Sequence, residues 1–419
     1  MRHYVACLLA LTVAAAAPTS NKKKTRRTPG PAPISAAARK AARDEVESKI
    51  AAAAGIRIEN ASALAPFFAS LAEGDPIHIL DYGDSHTASD DWANAMRAAL
   101  QSKYGDGGPG FIQAGRPYRG YRRFDATGAN SAGWKTEGTM AIRGDANQGL
   151  SGMSISTQAA GQTVTLTASG SALEIFYLEQ PRGGQVELTI DGQNAGAFTT
   201  DGDLGPGHSE YSLMPGSHEL KLRTLNFAPV RLFGFALDND KGITVETLGI
   251  NGAQANVLLG WNERIWADGF NARNPSLVLL AYGTNEANSR LWTPEQYSAD
   301  LTAIVERIRR ANPAVPILMI GPPDCGRLKP LLHLSEVIDI QREMARKLNV
   351  AFWDWRLHMG GPGMAGPGVG GPGIVKRWVV AGLAQSDYIH LTGEGYRLLG
   401  KMVVDAIFYE KTGQDNGNR

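Results

Sequence analysis

The sequence predicts an α/β protein: a parallel sheet with helices on both faces, interrupted by an inserted all-β sandwich of Greek-key or jelly-roll type. Apolar strand patterns alternate with amphipathic helices around residues 77–100 and again after residue 243, the signature of strand–helix–strand units. Between Trp134 and Asp240 short alternating β segments replace them, with no long helix in sight. A chain of 419 residues, 43% of them hydrophobic, is long enough for a large core and two or three domains.

At the N-terminus, Arg2 and His3 lead an apolar stretch from Val5 to Ala17 that is rich in small residues. This is the pattern of a cleaved signal peptide, expected over 1–17, and it is too short to span a bilayer. The protein is therefore expected to be exported, to the periplasm or cell envelope. Cys7 would leave with the signal, so Cys325 would stand alone and no internal disulfide could form. A basic, Pro-rich linker is expected over 18–34, where Lys22–Arg27 precedes Thr-Pro-Gly-Pro-Ala-Pro. It reads as a solvated tether, or as an electrostatic attachment to an anionic envelope surface. Of the 42 Lys and Arg, six stand in residues 1–30, leaving 36 against 41 Asp and Glu. A mildly acidic body argues against nucleic acid as the main partner, since neutralising phosphates needs a basic face.

A helix is expected from Ser35, where Ala-rich sequence favours it, and a short second one over Ala63–Leu71. Ile77–Tyr82 follows as a buried strand, then a helix with Trp92, Met96 and Leu100 at four-residue spacing. Within the insertion the strands Thr163–Thr167, Leu173–Tyr177 and Gln185–Ile190 are separated by turn signals at Asp191-Gly, Pro215-Gly and Asn239-Asp. Strands return at Val245–Ile250, Leu277–Tyr282, Ile317–Ile320 and Val350–Trp353. Between them lie a helix burying Tyr297, Leu301, Ile304, Val305 and Ile308, and another near Ile338–Leu348. The expected domains are thus 35–130 (N-terminal helices and first α/β part), 131–242 (insertion) and 243–411 (second α/β part), with a tail over 412–419. The run Gly360–Gly373 is too rich in Gly and Pro to hold helix or strand and is expected to be a loop.

Gly83-Asp84-Ser85-His86 places a serine at the carboxyl end of the first strand, a good position for a nucleophile. Asp387 and His390, three residues apart, offer a base and a carboxylate to orient it. Taken singly, Asp84 or Ser85 could cap a helix, and Asp387 could cap the helix beginning near Thr392. Leu248-Gly-Ile-Asn-Gly252 and Leu280-Ala-Tyr-Gly-Thr-Asn285 put glycine and a polar amide after two further strands. In a parallel sheet these carboxyl ends gather at one edge, where the N–H groups of Ser85 and Gly252 and the Asn285 side chain could form an oxyanion hole. The nearest approach to G-x-S-x-G, Gly207-His-Ser-Glu-Tyr211, lacks the second glycine.

These four segments, in this order, resemble the blocks of the SGNH, or GDSL, hydrolase superfamily: Gly83-Asp84-Ser85, Gly252, Gly283-Thr-Asn285 and Asp387-Tyr-Ile-His390. His86 stands where many members have leucine. The resemblance spans roughly 75–115 and 244–408. Gly83–Thr87, Tyr104–Phe111 and Trp378–Tyr396 look like the peptidoglycan O-acetylesterases, which carry an inserted β-sandwich. It implies an SGNH-type, flavodoxin-like three-layer fold and a serine esterase that deacetylates a carbohydrate, with O-acetylated muramic acid of peptidoglycan as the expected substrate. Ser85, His390 and Asp387 would be catalytic, and neither cofactor nor metal would be needed. Competing readings are an O-acetyltransferase, another SGNH acetyl esterase or a lipase, and an inactive carbohydrate-binding envelope protein. His218-Glu-Leu-Lys-Leu222 lacks a second zinc histidine, and Asp238-Asn-Asp-Lys-Gly242 has Gly249 where a calcium loop needs glutamate. In the insertion, Trp134, Phe176, Tyr177 and Tyr211 could stack on sugar, though packing explains most of them.

Overall fold

The computed structural model describes residues 34–326, 331–361 and 373–417. The expected signal at 1–17, the linker up to residue 33 and the stretch 362–372 of the Gly/Pro run lie outside the described residues. Among the described residues, no helix is long and apolar enough to cross a membrane.

Five strands form the parallel sheet: β1 (Ile77–Gly83), β2 (Ile243–Gly249), β3 (Leu277–Ala281), β4 (Ile317–Ile320) and β5 (Ala351–Trp353). Their order is β2-β1-β3-β4-β5, the flavodoxin-like arrangement, with every pair parallel. Side chains alternate between two cores. Leu80 and Tyr82 of β1 and Val278 and Leu280 of β3 pack on one face. Ile77, Ile79, Leu277 and Leu279 pack on the other.

Helices Glu263–Arg273, Pro294–Ala311 and Leu334–Lys347 cover the first face, and Tyr297, Leu301, Ile304, Val305 and Ile308 are buried there. Thr293 caps the second of these by accepting from the Gln296 N–H, with Pro294 in the first turn. On the opposite face lie Ala36–Ala53, Asp91–Tyr104 and Gly393–Gly417, where Trp92, Met96 and Leu100 are buried at the expected spacing. Each large apolar side chain removed from water there contributes ~1.5–3 kcal/mol. The short second helix divides, a 3-10 turn at Ala61–Leu64 leading into Ala65–Glu73, with Pro66 at its start.

The insertion is a continuous antiparallel sheet of nine strands around one core that includes Val164, Leu166, Ile175, Leu188, Leu222 and Phe235. It begins earlier than residue 131. Gly110–Gln113 pairs with Val230–Asp238, and Ala126–Asn130 pairs with Thr163–Glu179. The expected strands at 163–167 and 173–177 are one 17-residue strand, Thr163–Glu179. Pro215-Gly is not a turn but lies inside Gly205–Thr224. There Gly170 faces Gly216 and Ala172 faces Ser212, so Leu213–Pro215 bulge opposite Ser171. The proline has no N–H to donate, which a bulge tolerates and a regular ladder does not. Trp134, Phe176 and Tyr177 are buried, leaving Tyr211 partly exposed as the remaining aromatic of the four.

Candidate active site

The sheet order reverses at β1, so the carboxyl ends of β1, β2 and β3 meet at the topological switch point. β1 runs into a single helical turn, Ser85–Ala88. Asp84 caps it, its Oδ1 accepting from the His86 N–H at 2.9 Å, and this leaves the Ser85 side chain free of the capping duty. Gly83 admits no side chain: a Cβ there would lie 2.1 Å from Thr87 Oγ1 and 2.9 Å from the Ala281 carbonyl. The close approach lets the turn fold directly over the strand end.

Ser85 Oγ lies 2.9 Å from His390 Nε2. His390 Nδ1 lies 2.7 Å from Asp387 Oδ2. The helix after this loop is capped by Thr392, whose hydroxyl accepts from the Gly395 N–H, so Asp387 has no capping role. Its other oxygen instead accepts from the N–H groups of Ile389 and His390 at 3.0 and 3.1 Å. Burial pushes the Asp387 pKa up, but the His390 ring and those two N–H groups outweigh it and hold the carboxyl below its ordinary range. An ionised carboxylate on Nδ1 fixes the ring tautomer that leaves Nε2 able to accept a proton from serine.

Gly252 follows β2 in an exposed loop with φ 78°, a conformation that favours glycine. Asn285 follows β3 and ties the two loops together: its Nδ2 donates to the Ala253 carbonyl at 2.9 Å and approaches Asp84 Oδ2 at 3.5 Å. Gln254 Nε2 returns a bond to the Asn285 carbonyl at 3.3 Å. Ser85, Asp387 and His390 are thus joined by hydrogen bonds, and Asn285 links the Gly252 loop to the serine turn through Asp84.

Glu286, which sequence reasoning missed, and Asp84, which it read only as a possible cap, support this arrangement. Glu286 is buried and accepts from the Ala255 N–H at 2.7 Å, gripping the far side of the Gly252 loop; burial raises its pKa to about 7. Burial likewise raises Asp84 to about 6, against the opposing N–H of His86 and the Thr284 hydroxyl. Their adjacency to Asn285 and Ser85 was the available signal. His86 packs among Trp355, Tyr396 and His390, with its Nδ1 2.7 Å from Tyr396 Oη. Burial, and then repulsion from His390, lower its pKa to about 3, so it stays neutral.

Outside the site, His218 is bound by Asp191 and the Met214 carbonyl, and Asp238 by Arg273. No cluster of His, Cys, Asp or Glu suited to a metal occurs among the described residues. Cys325 is buried, which raises its thiol pKa.

Fold and site together define the class: a carboxylic ester hydrolase on a flavodoxin-like sheet. A family model described as GDSL-like lipase/acylhydrolase matches residues 217–398, a span that holds Gly252, Asn285, Asp387 and His390 but not Ser85, which the insertion separates from them. A solved structure described as a peptidoglycan O-acetylesterase in action is 28% identical, covers 83% of this chain and 96% of its own, and superposes with a TM-score of 0.69. A family two carbohydrate esterase from Clostridium thermocellum, in complex with cellohexaose, is 13% identical over 73% of this chain and 99% of that one, with a TM-score of 0.30. No curated protein matches. The chain thus matches the GDSL-like lipase/acylhydrolase model over its second α/β part and is similar over 83% of its length to the peptidoglycan O-acetylesterase.

Proposed function

We propose that this protein is an exported serine esterase that removes acetyl groups from O-acetylated muramic acid in peptidoglycan. The observation that carries the reading is the unbroken relay from Asp387 through His390 to Ser85, at 2.7 and 2.9 Å. Ser85 Oγ attacks the acetyl carbonyl while His390 Nε2 takes its proton. The oxyanion is received by the N–H groups of Ser85 and Gly252 and by the Asn285 amide. His390 then returns the proton to the departing sugar hydroxyl, leaving acetyl-serine. Water, deprotonated by the same imidazole, attacks the acetyl group; acetate departs and Ser85 recovers its proton. No metal is assigned a part.

Support for the substrate comes from the 28% identical structure, which is described as a peptidoglycan O-acetylesterase and aligns over 96% of its length. The export pattern of residues 1–17 would deliver the enzyme to that polymer, and the basic linker would hold it against an anionic envelope. The test is acetate release from O-acetylated peptidoglycan by the purified protein. Release is expected, and Ser85→Ala should abolish it while the circular dichroism spectrum is retained. Activity persisting in Ser85→Ala would remove the mechanism, and cleavage of simple acetate esters without any release from peptidoglycan would remove the substrate.

A further inference from the structure

Beside Gly252 lies a cleft of about 550 Å³, walled on one side by residues 138–148 of the insertion and on the other by residues 254–261 of the α/β part. It adjoins the site directly. Met140 Cγ comes within 3.7 Å of where a Gly252 side chain would begin, and Gln254, which lines the cleft, bonds the Asn285 carbonyl.

The insertion's wall is built rather than loose. Gly138 N–H donates to the Ile142 carbonyl at 2.7 Å, and the buried Gln148 donates to the Arg143 carbonyl at 2.7 Å. Asn262 N–H reaches the Ala146 carbonyl at 2.9 Å and Asn262 Nδ2 the Asn147 side chain at 3.0 Å, locking the wall to the α/β part. Gly144, next to Arg143, adopts φ 73°, a left-handed conformation that favours glycine.

Charge in the cleft is unbalanced. Asp145, the acid of the lining, is already engaged by Arg231 at 2.6 Å. Arg143 is exposed in the lining and has no carboxylate partner among the described residues. The rest of the wall mixes apolar surface (Met140, Val257, Trp261) with amides (Gln254, Asn256), a combination that suits a sugar ring and its substituents.

We infer that this cleft is the glycan subsite next to the acetyl-binding position, and that Arg143 recognises a carboxylate carried by the acetylated sugar or its substituent. The inference rests on the peptidoglycan reading above, where the lactyl group of muramic acid ends either in a free carboxylate or in an amide-linked peptide that itself carries carboxylates. A guanidinium forks onto a carboxylate through two parallel N–H bonds, which a lysine ammonium does not reproduce. Specificity would then come from a residue of the insertion, and the reaction from the α/β part.

The experiment compares kcat/KM for acetate release from O-acetylated muropeptides, which carry carboxylates, with that from a neutral O-acetylated xylan, using the full chain, Arg143→Ala and Arg143→Lys. Arg143→Ala should lower the ratio of the two values about tenfold, chiefly through KM for the muropeptide, with Arg143→Lys intermediate. Equal losses on both substrates, or a ratio that does not move, would overturn the inference. If the unaltered protein releases no acetate from muropeptides, the peptidoglycan reading falls and this one with it. Release with an unmoved ratio removes this one alone.

Discussion

Asn285 holds the Ala253 carbonyl through its amide, and in the proposed mechanism the same amide also donates to the oxyanion. Asn285→Ala should therefore lower kcat by ~100-fold or more, the usual scale for one oxyanion donor, with KM much less affected. Steady-state kinetics on a chromogenic acetate ester checks this; a loss confined to KM would assign Asn285 to binding instead. At this scale much of the site was legible. The hydrogen-bonded set Ser85, Asp387 and His390 was readable because candidates for nucleophile, base and acid have few substitutes, and because the serine follows an apolar strand. Which residue caps which helix was not, since Asp84 and Ser85, or Asp387 and Thr392, are equally able acceptors until the backbone path is known. The roles of Asp84 and Glu286 as supports were hidden for the same reason: their partners lie on other loops.

Secondary-structure elements place these residues through close contacts that tolerate little change. Gly83→Ala drives a methyl group into buried Thr87 and toward the Ala281 carbonyl, and should destabilise the protein by ~1–3 kcal/mol. A urea midpoint equal to that of the unaltered protein would contradict this. His208, on Gly205–Thr224, is held between Glu174 of the insertion and Asp268 of helix Glu263–Arg273. Burial pulls its pKa down, but the two carboxylates outweigh that and raise it to about 9. Because the folded value exceeds the unfolded one of ~6.5, this stabilisation is complete below about 6.5 and is lost as pH rises through about 9. Thermal unfolding of the unaltered protein and of His208→Gln should differ at neutral pH and converge above that point; a constant gap would place the stabilisation elsewhere. Strand and helix positions were largely readable from periodicity, but the 17- and 20-residue strands were not. Pro215-Gly carries the chemistry of a turn, and only the pairing of Gly170 with Gly216 and Ala172 with Ser212 reveals a bulge.

Across the whole molecule, insertion and α/β part are joined by buried charge as well as apolar packing. Arg273 reaches Asp238, where the insertion ends, and Glu246, fully buried on β2. Arg273→Ala leaves Glu246 buried without its cation and should cost ~3–5 kcal/mol, read from denaturant unfolding, with Glu246→Gln in the same chain recovering part of it. The α/β class and the presence of an insertion were legible, since the hydrophobic period changes at both junctions. Its start was not, because Gly110–Gln113 and Ala126–Asn130 are too short and glycine-rich to declare which sheet they join. Nor was the cleft, whose walls stand more than a hundred residues apart in the chain. That an inserted sheet and a parallel sheet together serve one acyl-transfer site rests above all on Ser85 being the residue acylated. Peptide mass spectrometry after rapid quenching with an acetyl ester tests this most directly: acetyl should appear on Ser85, accumulate when Asn285 or Asp387 is replaced in a way that slows deacylation, and be absent from Ser85→Ala; acetate release without any acetyl on Ser85, and undiminished in Ser85→Ala, would contradict the account.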